Sequence, residues 1–244
     1  MESFLTSSDK VQYIIKSFNL TKTLFVSSIL IGEAYTGKKA LVHYLFPNTP
    51  HVSGEDQKKV EVALETYDEL IITNFEKLSN IEHLNFNNKR IIATADYIAN
   101  ADLIDNLFAF IYTMPKLIER PNDLNVLKDL FIKKACKTLM LTYENIDKES
   151  IYVDLSQNTK SMKRSIYFSL VQQTMKEKEI ENTLYQYFDK HLDGNNEYRK
   201  YLHLYERPLI RVGLKKFGSQ LKLSQILGIN RNTLRKKIHE HHIN

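Results

Sequence analysis

Cysteine, glycine and long apolar runs are all scarce in this 244-residue chain, and each scarcity excludes something. Cys136 is the single cysteine, so no internal disulfide can form, which fits a reducing compartment. No apolar run approaches the ~18 residues of a membrane span, and MESFLTSSDKVQ does not read as a signal peptide. A cytoplasmic chain without membrane attachment is expected. Neither internal repeats nor low-complexity stretches are present. Hydrophobic content of 43% with 26% charged residues is ordinary for a globular protein with room for one large domain or two smaller ones.

What is present is concentrated at the C-terminus. Residues 206–244 read ERPLIRVGLKKFGSQLKLSQILGINRNTLRKKIHEHHIN, three short helical segments separated by FGS and GIN. Pro208 is expected to open the first segment, because the missing N–H of a first-turn proline has no intrahelical partner. Gly218 can take the positive φ that ends a helix, and Ser219 can cap the next one. That second helix is about two turns long, with Leu223, Ile226 and Leu227 expected on one face. Gly228 breaks it and Asn230 starts the third, where Leu234 and Ile238 face inward while Arg231 and Arg235 share another face. Nine basic residues stand here against Glu206 and Glu240, a net of +7 beside +5 for the whole chain, so the remainder sits near −2. Such local basicity is the footprint of a module that displaces counterions from phosphates, and a Gly-containing turn before a basic helix fits a helix-turn-helix.

GINRNTLRKKI resembles the recognition helix of Fis-type domains, found in the nucleoid protein Fis and at the C-termini of NtrC-like enhancer-binding proteins. The resemblance runs upstream through LYQYFDKHLDGNNEYRKYLHLYERPLI, where Fis-type domains have dimerising helices, and covers about residues 182–244. It implies a homodimer on bent double-stranded DNA. It also implies that Asn230, Arg231, Asn232, Thr233, Arg235, Lys236 and Lys237 lie on the DNA-contacting helix, with Gln220 and Lys222 on the preceding turn. Leu221 departs from the family, which has a small polar residue there. Arginine suits bidentate reading of guanine, so Arg231 and Arg235 are the expected base contacts, and lysine and threonine hold the backbone.

The N-terminal half reads as α/β. Residues 23–31 (TLFVSSILI), 70–73 (LIIT) and 90–94 (RIIAT) are candidate buried strands. The first is followed by GEAYTGKK and a helix-like ALVHYLF, the setting a P-loop requires. Gly32, Gly37 and Lys38 match G-x-x-x-x-G-K, whose N–H groups can surround phosphates, with Glu33, Thr36 and Lys39 completing the candidate nucleotide site. Lys39 replaces the usual Ser or Thr. GEAYTGKK is similar to GESGTGKE of the AAA+ domain of NtrC-like activators, KRIIATAD to RIIAATN, and PKLIERPNDL to PPLRERPEDI. The resemblance implies a P-loop AAA+-like domain, but this chain departs from it. The GAFTGA loop is absent, so contact with the nitrogen-type sigma factor is not supported. Thr73, Asn74 and Phe75 stand where acidic residues would end a Walker B strand, Asp68 and Glu69 precede that strand, and Glu76 follows it. Ile104 and Phe110 fall at arginine-finger positions, and Lys160 at the sensor II arginine. A degenerate, non-hydrolysing domain is expected, with ATP or another nucleotide bound without turnover as an open alternative.

Pro121, with Leu124, Leu127, Leu130 and Phe131 at helical spacing, opens a helical region. The expected division is a degenerate AAA+-like α/β domain over 1–116, a helical lid-like region over 117–178, and a Fis-type domain over 179–244. KEKEIE at 176–181 reads as a charged connector and DGNN at 193–196 as a turn. Cys136 follows the apolar spacing of its helix and reads as core. His239, His241 and His242 lack the setting of a metal site. The expected function is a sequence-specific, nucleoid-associated DNA-binding transcription regulator, not an enzyme, with RNA polymerase a candidate partner. The alternatives are an ATP-dependent AAA+ activator and an architectural DNA-bending protein.

Overall fold

A computed structural model describes residues 4–243. The chain divides into two compact units, one ending at Thr174 and one starting at Met175.

The first unit is built on a parallel five-stranded sheet. In chain order it contains α1 (Asp9–Thr21), β1 (Ser28–Ile31), α2 (Lys38–Leu45), β2 (His51–Ser53), α3 (Gln57–Thr66), β3 (Glu69–Thr73), β4 (Arg90–Ala95), α4 (Ala101–Leu107) and β5 (Phe110–Thr113). The strands lie in the order β2-β3-β4-β1-β5. Ile29 pairs with Ala93 and Ile111 on either side of β1. A parallel sheet covered on both faces needs strands that are apolar throughout, and β1, β3 and β4 meet that requirement. Successive residues serve opposite faces: Ile29, Leu70 and Ile72 pack with Val60, Leu64 and Ile104, whereas Leu30, Ile71 and Ile92 pack with Val11, Phe18, Leu41 and Val42.

Of the apolar run over 23–31, only the last four residues form a strand, and Leu24 and Phe25 are exposed. The two outer strands β2 and β5 carry no comparable sequence signal. Two helices complete the unit, α5 (Pro121–Leu139), with Pro121 in its first turn as expected, and α6 (Asn158–Thr174). Phe131, Ile132, Ala135 and buried Cys136 of α5 pack on Met162, Ile166 and Leu170 of α6.

The second unit is all helical: α7 (Glu177–His191), α8 (Glu197–Tyr201), α9 (His203–Phe217), α10 (Gln220–Ile226) and α11 (Arg231–Glu240). The KEKEIE stretch is therefore the start of α7, and DGNN is the irregular segment before α8. Pro208 does not open its helix. It lies inside α9, which starts at His203, so the carbonyl of Leu204 loses the donor it would have had four residues on. Ile210, Leu223 and Leu234, one from each of the last three helices, form the buried centre of this unit. Ile226, expected beside Leu223 and Leu227, is exposed, because the short α10 turns the inward place next to Leu223 over to buried Ser224. Gly213 is required by packing: a Cβ there would lie 2.3 Å from Leu223 Cδ1.

Candidate functional site

The C-terminal helices are delimited by local chemistry. Gly218 ends α9 at φ +65°, and Ser219 accepts a hydrogen bond from the Lys222 N–H to cap α10. Gly228 turns the chain at φ +64°, and the Asn230 side chain accepts from the Asn232 N–H at 2.8 Å to cap α11. Leu234, fully buried, pins α11 to the unit. On the helix so anchored, Arg231, Asn232, Thr233, Arg235 and Lys236 are exposed, as is Lys222 of α10, while Gln220 is half-buried. The exposed residues wind around the N-terminal half of α11, the part of a recognition helix that reaches base edges.

Lys237 is placed differently from its neighbours. Its ammonium is turned inward to Glu206 of α9, with which it forms an ion pair, and His241 Nε2 lies 3.0 Å from the other oxygen of the same carboxylate. Burial pushes the Glu206 carboxyl up, but hydrogen bonds from Lys237 and His241 outweigh it and hold the group below the usual carboxylate range. Lys237 thus ties α11 to α9 and is not a free phosphate contact on the exposed face. His241, from the terminal histidine group, belongs to the same polar cluster. Among the described residues no three His, Cys, Asp or Glu side chains are gathered to hold a metal ion.

In the first unit the GEAYTGKK loop joins the C-terminal end of β1 to α2, the crevice where open parallel sheets place ligands. Gly37 adopts φ +101° and Tyr35 φ +62°. Carbonyls along the loop are tied to the helical part of the unit. Ala34 O accepts from Asn158 Nδ2, Tyr35 O from the Thr159 N–H and hydroxyl, and Thr36 O from Arg120. In a trans peptide the next N–H points the other way, so the N–H groups of Tyr35, Thr36 and Gly37 are aimed away from those partners. The first N–H groups of α2 lack intrahelical acceptors as well. Together they form a concave set of donors of the kind that receives phosphate. Thr36 and Lys38 are buried, whereas Glu33 and Lys39 are exposed. Glu33 is held below the usual carboxylate range chiefly by its hydrogen bond with Lys116, 2.5 Å away.

The loop opens onto a cavity of about 490 Å³ whose walls include Tyr35, Gly37, Lys38, Lys39, Asn74, Glu76 and Asp96. Sequence spacing set Glu76 aside as lying beyond its strand. The 3₁₀ turn over Phe75–Lys77 brings it back to the cavity wall, where its Oε2 accepts the Asp96 N–H at 3.1 Å. Asp96 was not singled out in the sequence. Its signal is positional: it follows β4, which neighbours β1, and so stands beside the loop. Arg120 and Asp123 form a second group found only in the structure. Buried Asp123 accepts from the N–H groups of Ser7 and Ser8 and from the Thr6 hydroxyl, and lies 3.4 Å from Arg120. Ile104 is a core residue of α4, half-buried Phe110 lies in β5, and neither position supplies a cation to this site.

Comparisons with known proteins agree with this geometry. Residues 202–241 match the family described as "Bacterial regulatory protein, Fis family". The chain is similar to the DNA-binding transcriptional regulator NtrC of Azospirillum brasilense, 48% identical over 65 residues, which make up 25% of this chain and 14% of NtrC. It is also similar to a Fis-like DNA-binding protein of Neisseria meningitidis, 44% identical over 66 residues that cover 82% of that protein. Among solved structures, NtrX from Brucella abortus in complex with ATP matches all of this chain and 70% of its own, with a TM-score of 0.56 and 12% identity. That likeness shows the fold. Through its C-terminal helix-turn-helix, the chain belongs to the Fis-like family of DNA-binding proteins, and it carries this module behind an α/β domain with the AAA+ fold of NtrX.

Proposed function

We propose that the chain is a transcription regulator that binds DNA sequence-specifically as a homodimer and does not hydrolyse ATP. The observation that carries the DNA reading is the exposed row Arg231, Asn232, Thr233, Arg235 and Lys236 on a helix capped by Asn230 and anchored by Leu234. Arg231 and Arg235 contact base edges, and Lys222, Thr233 and Lys236 the phosphates. Dimerisation is supported by α7, which buries none of its residues although it presents Leu184 and Phe188 to an apolar groove shared with Leu192, Tyr198, Tyr201 and Leu202. Such a groove is covered by a second copy, whose recognition helix then reads a half-site about one helical turn away. The protein would act in the cytoplasm on the nucleoid, with RNA polymerase as its partner in regulation.

The fold implies a nucleotide, and the backbone donors of the loop fit its inner phosphates. A nucleotide would supply charge and rigidity to the first unit; Gly37, Lys38 and Lys39 would hold it. Absence of turnover is supported by Asn74 at the end of β3 and by the apolar Ile104 and Phe110. Glu76 on the cavity wall favours the alternative of an ATP-driven activator. Steady-state ATPase measurements with Lys38→Ala as control separate the two; turnover that disappears in the variant would overturn the non-hydrolysing reading. Binding to a promoter fragment competed with random duplex at fixed salt tests specificity. A ratio near unity would point to an architectural role.

A further inference from the structure

The phosphate loop already engages an anion of the protein's own. Lys38, 5% exposed, donates to the carbonyl oxygens of Gly32 at 2.6 Å and Glu33 at 2.7 Å and to Asp96 Oδ1 at 2.9 Å. An ammonium has three N–H bonds, and all three are used. Asp96 is itself positioned through its N–H by Glu76. The RIIAATN segment that KRIIATAD resembles ends in a neutral Asn, whereas this chain has a carboxylate at that place.

We infer that the Asp96 carboxylate takes the place of a nucleotide's terminal phosphate, so that the cavity accepts a nucleoside diphosphate and rejects the triphosphate. The inference rests on the nucleotide-binding reading above and narrows it. Inner phosphates need the backbone donors of residues 35–37 and of the first turn of α2, together with the exposed Lys39, and Asp96 occupies none of these. A third phosphate needs Lys38. To reach it, that phosphate must displace Asp96, leaving an unpaired carboxylate beside Glu76 and facing further negative charge. The cavity offers no surplus of positive charge to offset this, because Lys38, Lys39 and Lys77 are matched by Glu55, Glu76 and Asp96. Discrimination by an uncompensated like charge is an effective way to reject one of two similar ligands.

The test is calorimetric titration of the full chain with ADP and with ATP, in EDTA and again with Mg²⁺, for the wild type and Asp96→Asn. Asparagine keeps an oxygen for Lys38 and removes the charge. The wild type should bind ADP at least about tenfold more tightly than ATP, and Asp96→Asn should close most of that gap by tightening ATP alone. Equal wild-type affinity for the two nucleotides overturns the inference while leaving nucleotide binding intact. So does ATP binding that requires Mg²⁺ and is lost in Asp96→Asn, which would make Asp96 a cation ligand. Binding of neither nucleotide to either protein removes this inference and the nucleotide reading together. Thermal unfolding checks that the variant is folded, and Asp96→Ser provides a second neutral replacement. The wild-type ratio of ADP to ATP affinity is decisive even if both variants misfold.

Discussion

Arg235 and Lys237 lie two positions apart on one helix, and residues at that spacing do not share a face. Arg235 is exposed, while Lys237 is paired with Glu206. Arg235→Ala should weaken binding to the cognate site by about 1–3 kcal/mol and relax preference at one base pair in each half-site, as read by competition against single-base variants of the duplex. Lys237→Ala is expected to lower stability by about 1–3 kcal/mol, because it leaves a mostly buried carboxylate without its main partner; a denaturation midpoint that does not move would count against this. Glu206 also sets a pH dependence. Its folded pKa is depressed, so its stabilising contribution is complete above the ordinary glutamate range of about 4.3 and is lost as pH falls from there through the lower folded value. Urea midpoints followed from about pH 6 to about pH 3.5 should fall less steeply in Glu206→Gln than in the wild type. These charges were visible in the sequence, but their pairing was not, because 31 residues separate Lys237 from Glu206.

The helix-turn-helix depends on two glycine-controlled turns and on one close approach. Ser219→Ala removes the cap of α10 and should destabilise the unit by about 1 kcal/mol. Gly213→Ala should cost more, about 1–3 kcal/mol, since the added methyl meets buried Leu223 and the core must shift. Thermal unfolding of the two variants, compared under one condition, would reverse the order if Leu223 can swing aside freely. The boundaries of α10 and α11 were legible because caps and breaks act within three or four residues. The start of α9 was misread: Pro208 has the chemistry of a first-turn residue, yet upstream residues continue the helix and place it in the interior. The strands divide in the same way. β3 and β4 announce themselves as buried apolar runs, but β2 and β5 are strands by virtue of the neighbours they pair with.

At the scale of the whole molecule, the unpartnered apolar surface of α7 and α8 predicts self-association. Leu184→Lys should weaken the dimer by about 2 kcal/mol or more in sedimentation experiments, and with it binding to a two-half-site duplex. A wild-type chain that sediments as a monomer at micromolar concentration would refute the dimeric reading. The sequence by itself determined the two-part organisation, the parallel α/β class, the loop after β1 and the basic, capped recognition helix, because each is written in short-range periodicity, turn chemistry and local charge. No helix is long and apolar enough to cross a membrane. Only the tertiary structure decided which charges remain free to act. It gave Lys237 to Glu206 and Lys38 to Asp96, 58 residues away, returned Glu76 to the cavity wall, and buried Asp123 against residues 6–8. A charge is neutralised by whatever group the folded chain brings within about 3 Å of it, and that partner is set by strand order and helix packing across long sequence separations, which no local pattern records.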